Sequence, residues 1–139
     1  MVLNDLITLS PTERAKFRVA PRKVLYPAYT VFYRFVTMGR GKISTYWVDE
    51  RMYRRIYHAG KGSFPEMVNF ARPWLAVKES WSAMDGIYKI ILLQPCHGWI
   101  GRAKNQPLSG YDDVSYMGNG VQVFLPGLKN RTDCIGHLL

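Results

Sequence analysis

The chain has 139 residues, of which 47% are hydrophobic, and its 19 basic and 10 acidic residues give a net charge of +9. This length suits one domain with one core, and the hydrophobic content excludes an intrinsically disordered chain. No apolar run approaches the roughly 18 residues that span a bilayer, and residues 1–10 lack the basic start of a secretory signal, so we expect a soluble domain with no membrane partner.

The positive charge is concentrated in one segment. Residues 14–61 contain twelve Lys or Arg side chains against only Asp49 and Glu50. Such a field attracts nucleic acid, acidic proteins or phosphorylated small molecules, and it does not choose among them. A solvated face that keeps the domain soluble is the alternative interpretation.

The two cysteines, Cys96 and Cys134, are too few for a disulfide framework. His97 follows Cys96 directly, but side chains one residue apart diverge, and the other histidines stand at no spacing typical of zinc ligands. We therefore expect no metal ion and no prosthetic group.

The first predicted element is a helix that begins at Ser10. Ser10, Pro11 and Glu13 supply a cap, a proline at the first helical position and the glutamate of a capping box, and they predict a helix to about Val19. From Arg14 to Val19, however, charged and apolar residues alternate, and that pattern fits a strand equally well.

The next predicted element is a hairpin. Residues 31–36 and 43–48 are rich in β-branched and aromatic types, and the Gly-x-Gly at 39–41 predicts a turn between them. Arg34 is the anomaly, because a guanidinium does not lose its proton and is rarely buried without an anion. An internal carboxylate, water at a sheet edge or a bound ligand would each satisfy it.

The middle third of the chain is predicted to be helical. Met52 and Ile56 recur at helical spacing within residues 49–58, and Ser63 begins a further helix that Pro73 should end. The first of these helices would carry four basic side chains on one face, namely Arg51, Arg54, Arg55 and His58.

The C-terminal half is predicted to contain strands. Residues 86–95 form a nearly continuous apolar run, typical of a strand with neighbours on both sides, and shorter strands follow at 99–103 and 121–126. Residues 110–119 are predicted to be a polar loop that covers a site, and the residues after Gly127 should be loosely held. The composite is an α+β domain, divided into an N-terminal helix or arm (1–28), a core (29–128) and a tail (129–139).

Several short motifs occur in a recognisable order. Arg34 in a strand is followed by Ser44-Thr45-Tyr46-Trp47, by a strand ending Leu93-Gln94-Pro95, by Gln106-Pro107 and by Gly118-Asn119-Gly120-Val121-Gln122. This layout, over roughly residues 29–128, resembles the tuberculosis necrotizing toxin family of NAD glycohydrolase domains. The resemblance implies an ADP-ribosyltransferase-like mixed β-sheet core with a few short helices, and NAD+ as the substrate.

The resemblance also implies a site. Arg34 would hold the pyrophosphate with its planar fork, and Gln122, which alternation places opposite its valine neighbours, would bond the ribose hydroxyls; these two are the predicted catalytic residues. Tyr46 or Trp47 would give nicotinamide a flat wall, although such aromatic residues are more often core. The residues predicted to contact NAD+ are Tyr33, Arg34, Ser44, Thr45, Tyr46, Trp47 and Gln106.

Three functions follow from these residues. Cleavage of the nicotinamide–ribose bond passes through an oxocarbenium-like state and needs no strong base, and an amide at 122 cannot activate an acceptor as a glutamate would, so an NAD+ glycohydrolase is favoured. The first alternative is an ADP-ribosyltransferase that docks a protein or RNA acceptor through residues 14–61. The second is a noncatalytic RNA-binding domain in which Tyr29, Tyr33, Tyr46 and Trp47 stack bases.

The same resemblance implies a biological setting. The chain would be the C-terminal domain of an antibacterial polymorphic toxin, delivered as part of a larger secreted protein and active in the target-cell cytoplasm. A cognate immunity protein would then be its partner.

Overall fold

The computed structural model describes residues 1–39, 42–77, 82–107, 115–116 and 118–139. This part of the chain contains three helices and nine strands. The helices are α1 (Pro11–Arg14), α2 (Glu50–Ala59) and α3 (Phe64–Leu75). The strands are β1 (Arg22–Tyr26), β2 (Val31–Val36), β3 (Tyr46–Asp49), β4 (Gly86–Leu92), β5 (Cys96–Arg102), β6 (Gln106–Pro107), β7 (Ser115–Tyr116), β8 (Val121–Phe124) and β9 (Cys134–Leu138).

Seven of these strands form one antiparallel sheet in the order β1-β5-β8-β3-β2-β4-β9, and β6 pairs with β7. Most neighbours share long ladders, such as the six residue pairs between β2 and β4. The centre is different, because β2 and β3 are joined by two pairs, Phe32↔Asp49 and Tyr33↔Val48. The sheet therefore consists of two well-bonded halves with a narrow join.

Hydrophobic side chains cover both faces of the sheet. Phe32 and Val36 of β2 belong to one core cluster, whereas Tyr33 and Phe35, which alternation turns to the opposite face, belong to a second. The second cluster contains the buried residues of the two longer helices, Met52 and Ile56 of α2 and Met67 and Ala71 of α3. These helices therefore cover the face that carries Tyr33 and Phe35.

The two predicted middle helices are confirmed, with a difference at the end of the second. Asp49 caps α2, because its carboxylate accepts a hydrogen bond of 2.8 Å from the Met52 amide. Helix α3 continues through Pro73 to Leu75, two residues beyond the predicted end. A proline in the last turn removes one backbone hydrogen bond, and the two residues after it keep helical geometry.

The N-terminal helix is much shorter than predicted. Its capping box is present, since the Glu13 amide donates to Ser10 Oγ at 3.2 Å and the Ser10 amide donates to Glu13 Oε1 at 2.9 Å. Helix α1 nevertheless ends at Arg14, because Phe17 turns inward, is 3% exposed and bridges to Ala103. The strand-like alternation describes this segment better than the helix signal.

Two expectations for the chain ends are wrong. The tail was expected to be loosely held, but Cys134–Leu138 forms β9 along β4, and Cys134 is fully buried. Arg22–Tyr26, within the predicted N-terminal arm, forms β1 along β5. Both segments lack a strong strand pattern, and pairing with an apolar neighbour outweighs their weak propensity.

The remaining predicted strands are present. β2 and β3 form the predicted antiparallel pair, although β3 begins at Tyr46 rather than at residue 43. β4 has a neighbour on each side, and β5 and β8 match the last two predicted strands. The α+β prediction is confirmed, while the predicted loop at 110–119 lies largely outside the described residues. None of the described helices is long and apolar enough to cross a bilayer.

Candidate functional site

The site lies where the sheet opens at its centre. Beyond Tyr33, strand β2 continues along β4, whereas Tyr46 and Trp47 of β3 pair with Phe124 and Val123 of β8. The two halves therefore diverge, and a cleft of about 260 Å³ is lined by residues from both sides of the opening. The described residues that line it are Lys16, Tyr33, Arg34, Phe35, Tyr46, Trp47, Val48, Leu75, Ala76, Val77, Ser82, Met84, Ala103, Lys104 and Gln122.

Arg34 lines this cleft as a partly buried cation. Its Nη1 donates a hydrogen bond of 3.0 Å to the Lys42 carbonyl, and burial lowers the pKa of the guanidinium from its ordinary value. Among the residues that the structure describes, no carboxylate forms an ion pair with it. A carbonyl dipole compensates a buried charge only in part, so an anion entering the cleft would be attracted to Arg34.

Gln122 lines the same cleft from β8. Its Nε2 donates to the Lys16 carbonyl at 3.3 Å, which ties the amide to the N-terminal segment. The side chain is partly buried, like that of Arg34. The structure thus brings the two predicted catalytic residues to one cavity, on opposite halves of the opened sheet.

The glycine turn before Gln122 packs against protein. The Gly118 and Gly120 amides donate to the carbonyls of Pro73 and Trp74, both at 2.8 Å, at the end of α3. A Cβ at position 120 would lie 2.8 Å from the Trp74 carbonyl oxygen, so only glycine allows this approach. This turn therefore brings β8 close to α3.

The predicted aromatic residues differ in how far they are available. Trp47 is 2% exposed, and its indole donates to the Ser44 carbonyl at 3.1 Å, which makes it a core residue. Tyr33 is buried with its ring stacked 3.8 Å from that of Tyr53. Tyr46 is only partly buried, and burial, with Glu13 nearby, raises the pKa of its phenol to about 12. Tyr46 is therefore a neutral hydrogen-bonding wall at physiological pH.

Two further predicted contacts lie away from the cleft lining, and a third, Gln106, stays a prediction. Ser44 and Thr45 are not among the lining residues, and their carbonyls bond the Trp47 indole and the Leu125 amide. Their backbone therefore supports the strand that carries Tyr46. Gln106 belongs to β6, and its side chain lies outside the described part of the structure.

Several lining residues carry no signal in the sequence. Lys16 and Lys104 stand at the cleft, where the Lys104 amide donates to the Lys16 carbonyl at 3.0 Å. A second group forms what we call the α3-side wall, consisting of Leu75, Ala76, Val77, Ser82 and Met84. The wall falls between the predicted helix that Pro73 should end and the strand predicted from residue 86, where the sequence patterns assign no element.

The charge of the cleft limits its chemistry. Its lining includes three basic residues, Lys16, Arg34 and Lys104, and the described lining residues include no Asp or Glu. Nor do the described residues bring together three His, Cys, Asp or Glu side chains that would hold a metal ion. The cleft therefore suits an anionic ligand with a polar group near Gln122, and it offers no carboxylate base among these residues.

Comparisons with known proteins identify the fold. No protein-family model and no curated protein sequence matches this chain. The structure is similar to that of Rhs1-CT in complex with cognate immunity protein RhsI1, with a TM-score of 0.58 and 18% identity over 88% of this chain and 80% of that chain. It is also similar to Tne2 in complex with Tni2, with a TM-score of 0.52 and 14% identity over 86% and 92%. At such low identity, the similarity shows a shared fold.

Proposed function

We propose that this chain is a toxin domain that cleaves the bond between nicotinamide and ribose in NAD+, with water as the acceptor. The observation that carries the proposal is the presence of Arg34 and Gln122 in one cleft at the opening of the sheet. Each residue meets one chemical demand of the substrate.

The pyrophosphate of NAD+ suits Arg34. A guanidinium presents two parallel N–H donors to phosphate oxygens, and it binds them more strongly when it is partly desolvated. Arg34 has this environment, with one hydrogen bond to a carbonyl and no carboxylate partner among the described residues. Lys16 and Lys104 add positive charge at the same cleft.

The ribose suits Gln122. Because its amide nitrogen is held by the Lys16 carbonyl, the amide has a defined orientation and its oxygen can accept from a sugar hydroxyl. The cationic sugar that forms as nicotinamide leaves reacts readily with water, so no strong base is needed. The absence of Asp and Glu from the described lining agrees with hydrolysis rather than transfer to an acceptor.

The size of the cleft agrees with part of this substrate. Its volume of about 260 Å³ is slightly below the roughly 300–1,000 Å³ typical of ligand pockets. We therefore expect nicotinamide and its ribose to enter beside Tyr46 and Gln122. The adenosine half would lie across the mouth.

The toxin part of the proposal rests on the shared fold. A protein with a cognate immunity protein is a toxin. Rhs1-CT has such a partner, and its fold aligns with most of this chain. By analogy, we expect delivery as part of a larger secreted protein and an immunity protein as partner. The antibacterial role belongs to the same proposal.

Incubation with NAD+ tests the proposed reaction. We expect loss of NAD+ with equal amounts of nicotinamide and ADP-ribose, measured by chromatography. Adding lysate and NAD+ labelled in its adenosine half distinguishes the two reactions, since a hydrolase leaves the label in free ADP-ribose. NAD+ that stays intact with a folded domain would contradict the proposal, and label on protein or RNA would identify a transferase.

The transferase alternative is favoured by one surface. We call Arg51, Arg54 and His58 the α2 basic surface; all three are exposed, and the described structure gives them one carboxylate neighbour, Glu50, 3.3 Å from Arg54. Such a surface would dock an RNA acceptor through its phosphates. The noncatalytic RNA-binding alternative is weaker, because Tyr33 and Trp47 are buried and cannot stack bases.

Charge reversal tests the docking role. Arg51→Glu with Arg54→Glu should weaken RNA binding. The slope of the logarithm of the binding constant against the logarithm of the salt concentration should become shallower by about 1–2, since each lost phosphate contact removes about 0.7–0.9 from it. NAD+ cleavage should not change. Arg55 stays unaltered because it lies 5.4 Å over the Trp74 ring, and the Trp74 carbonyl accepts a hydrogen bond from the Gly120 amide just before β8. Lys129→Glu with Arg131→Glu is the matched control, and an equal loss in both variants would remove the special role of α2.

A further inference from the structure

Arg72, on the last turn of α3, is the centre of a hydrogen-bond network that reaches residues of the cleft wall. Its Nη1 donates to the carbonyls of Val77 at 3.2 Å and Ser82 at 3.0 Å, and its Nη2 donates to the Ala83 carbonyl at 3.0 Å. The Arg72 carbonyl also accepts from the Val77 amide at 3.0 Å. One side chain therefore joins two pieces of backbone that are five or more residues apart.

The residues that Arg72 joins belong to the α3-side wall of the cleft or adjoin it. Val77 and Ser82 line the cleft, and Ala83 connects Ser82 with Met84, which lines it too. Arg72 itself does not line the cleft. Its effect on a ligand would therefore be indirect, through the position of the wall.

The same wall is fastened to strand β2 from the other side. Thr37, directly after β2, accepts from the Ala83 amide at 3.0 Å, and its hydroxyl lies 3.3 Å from that of Ser82. The Ser82 hydroxyl accepts from the Met84 amide at 3.1 Å. Because β2 carries Arg34, this network connects the wall to the strand that holds the proposed phosphate anchor.

The backbone of the wall needs such support. Ala76 and Met84 have φ values of 53° and 50°, in the left-handed region that non-glycine residues rarely adopt. Both are buried, at 3% and 1% exposure. A left-handed non-glycine residue costs on the order of 1 kcal/mol or more and persists where surrounding contacts hold it. The three bonds from Arg72 lie next to or between these two residues.

We propose that Arg72 is a positioning residue that sets the distance between the α3-side wall and Arg34, and thereby the fit of the substrate. The network needs a planar group with several donors, because three carbonyls are reached from two nitrogens. A lysine at this position has one nitrogen and would satisfy fewer of them. The inference takes its substrate, NAD+, from the proposed function, whereas the wall itself follows from the geometry.

The variant Arg72→Lys tests this role by two measurements. Hydrogen exchange should become faster at the Ala83 and Met84 amides and stay unchanged in β4, which the network does not touch. The kcat/KM for NAD+ should fall about 10-fold to 100-fold, as expected for a small displacement of a substrate, with the melting temperature close to that of the parent. Arg131→Lys, in an exposed turn, is the matched control and should change neither.

The outcomes separate this inference from the proposed function. Normal kcat/KM together with faster exchange at Ala83 would overturn the positioning role. Unchanged exchange would show that the Arg72 hydrogen bonds do not hold the wall in place. If Arg72→Lys does not fold, Thr37→Val, which removes the hydroxyl acceptor on the opposite side, should give the same exchange pattern. A folded parent that leaves NAD+ intact contradicts the proposed function, and the exchange measurement still decides whether Arg72 holds the wall.

Discussion

Arg34→Ala should reduce kcat/KM for NAD+ by about 10²–10³-fold, because it removes the proposed pyrophosphate anchor from a partly desolvated site. Arg34→Lys should recover little of this loss. A lysine ammonium is a point charge without the two parallel donors of guanidinium. Steady-state kinetics on purified variants, measured together with melting curves, give both numbers.

The stability of these variants is as informative as their activity. Arg34 has no carboxylate partner among the described residues, and burial already lowers the pKa of its side chain. Truncation therefore removes one hydrogen bond to the Lys42 carbonyl, worth about 1 kcal/mol, and also removes a desolvated charge. We expect the melting temperature to change by less than about 4 °C. A variant that unfolds, or one that keeps full activity, would show that Arg34 serves the fold instead of the ligand.

Gln122→Ala should lower kcat for NAD+ by about 10²-fold and change substrate affinity much less. The proposed contact to the ribose matters most as the glycosidic bond breaks, and an interaction specific to the transition state appears in kcat. The alanine variant also loses the bond to the Lys16 carbonyl, which joins β8 to an exposed segment and adds little to stability. Binding of NAD+ by calorimetry, compared with turnover, separates the two effects.

Gln122→Glu gives the sharper comparison. A carboxylate would stabilise the cationic sugar and could activate an acceptor, but it cannot donate to the Lys16 carbonyl, so its orientation is less well held. We expect partial hydrolase activity and a new ability to label protein or RNA in lysate with labelled NAD+. Full activity of Gln122→Ala would remove β8 from the site, and label transferred by the parent itself would favour the transferase alternative.

The sequence singles out two residues that the structure brings to one cleft, Arg34 and Gln122, for a physical reason. Arg34 stands out because a charge inside an apolar strand is rare, and Gln122 because a single amide interrupts an alternating strand. These two residues stand out from the sequence alone, because their strands are predicted from local patterns and do not depend on the rest of the fold. The pairing of β2 with β3 and the helix after Asp49 follow from equally local patterns.

The rest of the site depends on contacts that are distant in the chain. Arg72 acts by bonding carbonyls, and every residue has a carbonyl, so no partner residue marks its role in the sequence. Ser44 and Thr45, for which the resemblance implied ligand contacts, support β3 through their backbone carbonyls. The strand at Cys134 was missed because its stability comes from β4, about 40 residues away, and not from its own composition.

The cleft exists only in the folded chain, because residues that are distant in the sequence line it. Its described lining comes from Lys16, from β2 and β3, from the α3-side wall, from residues 103–104 and from Gln122, so no contiguous piece of the chain contains it. β1 pairs with β5 about 70 residues later, at Tyr26↔Cys96, and such long loops must close before the ladders stabilise them. Non-local sheets of this kind fold in milliseconds to seconds. A chain threaded unfolded through a narrow channel therefore carries no cleft, and acquires one only after it has folded on the far side.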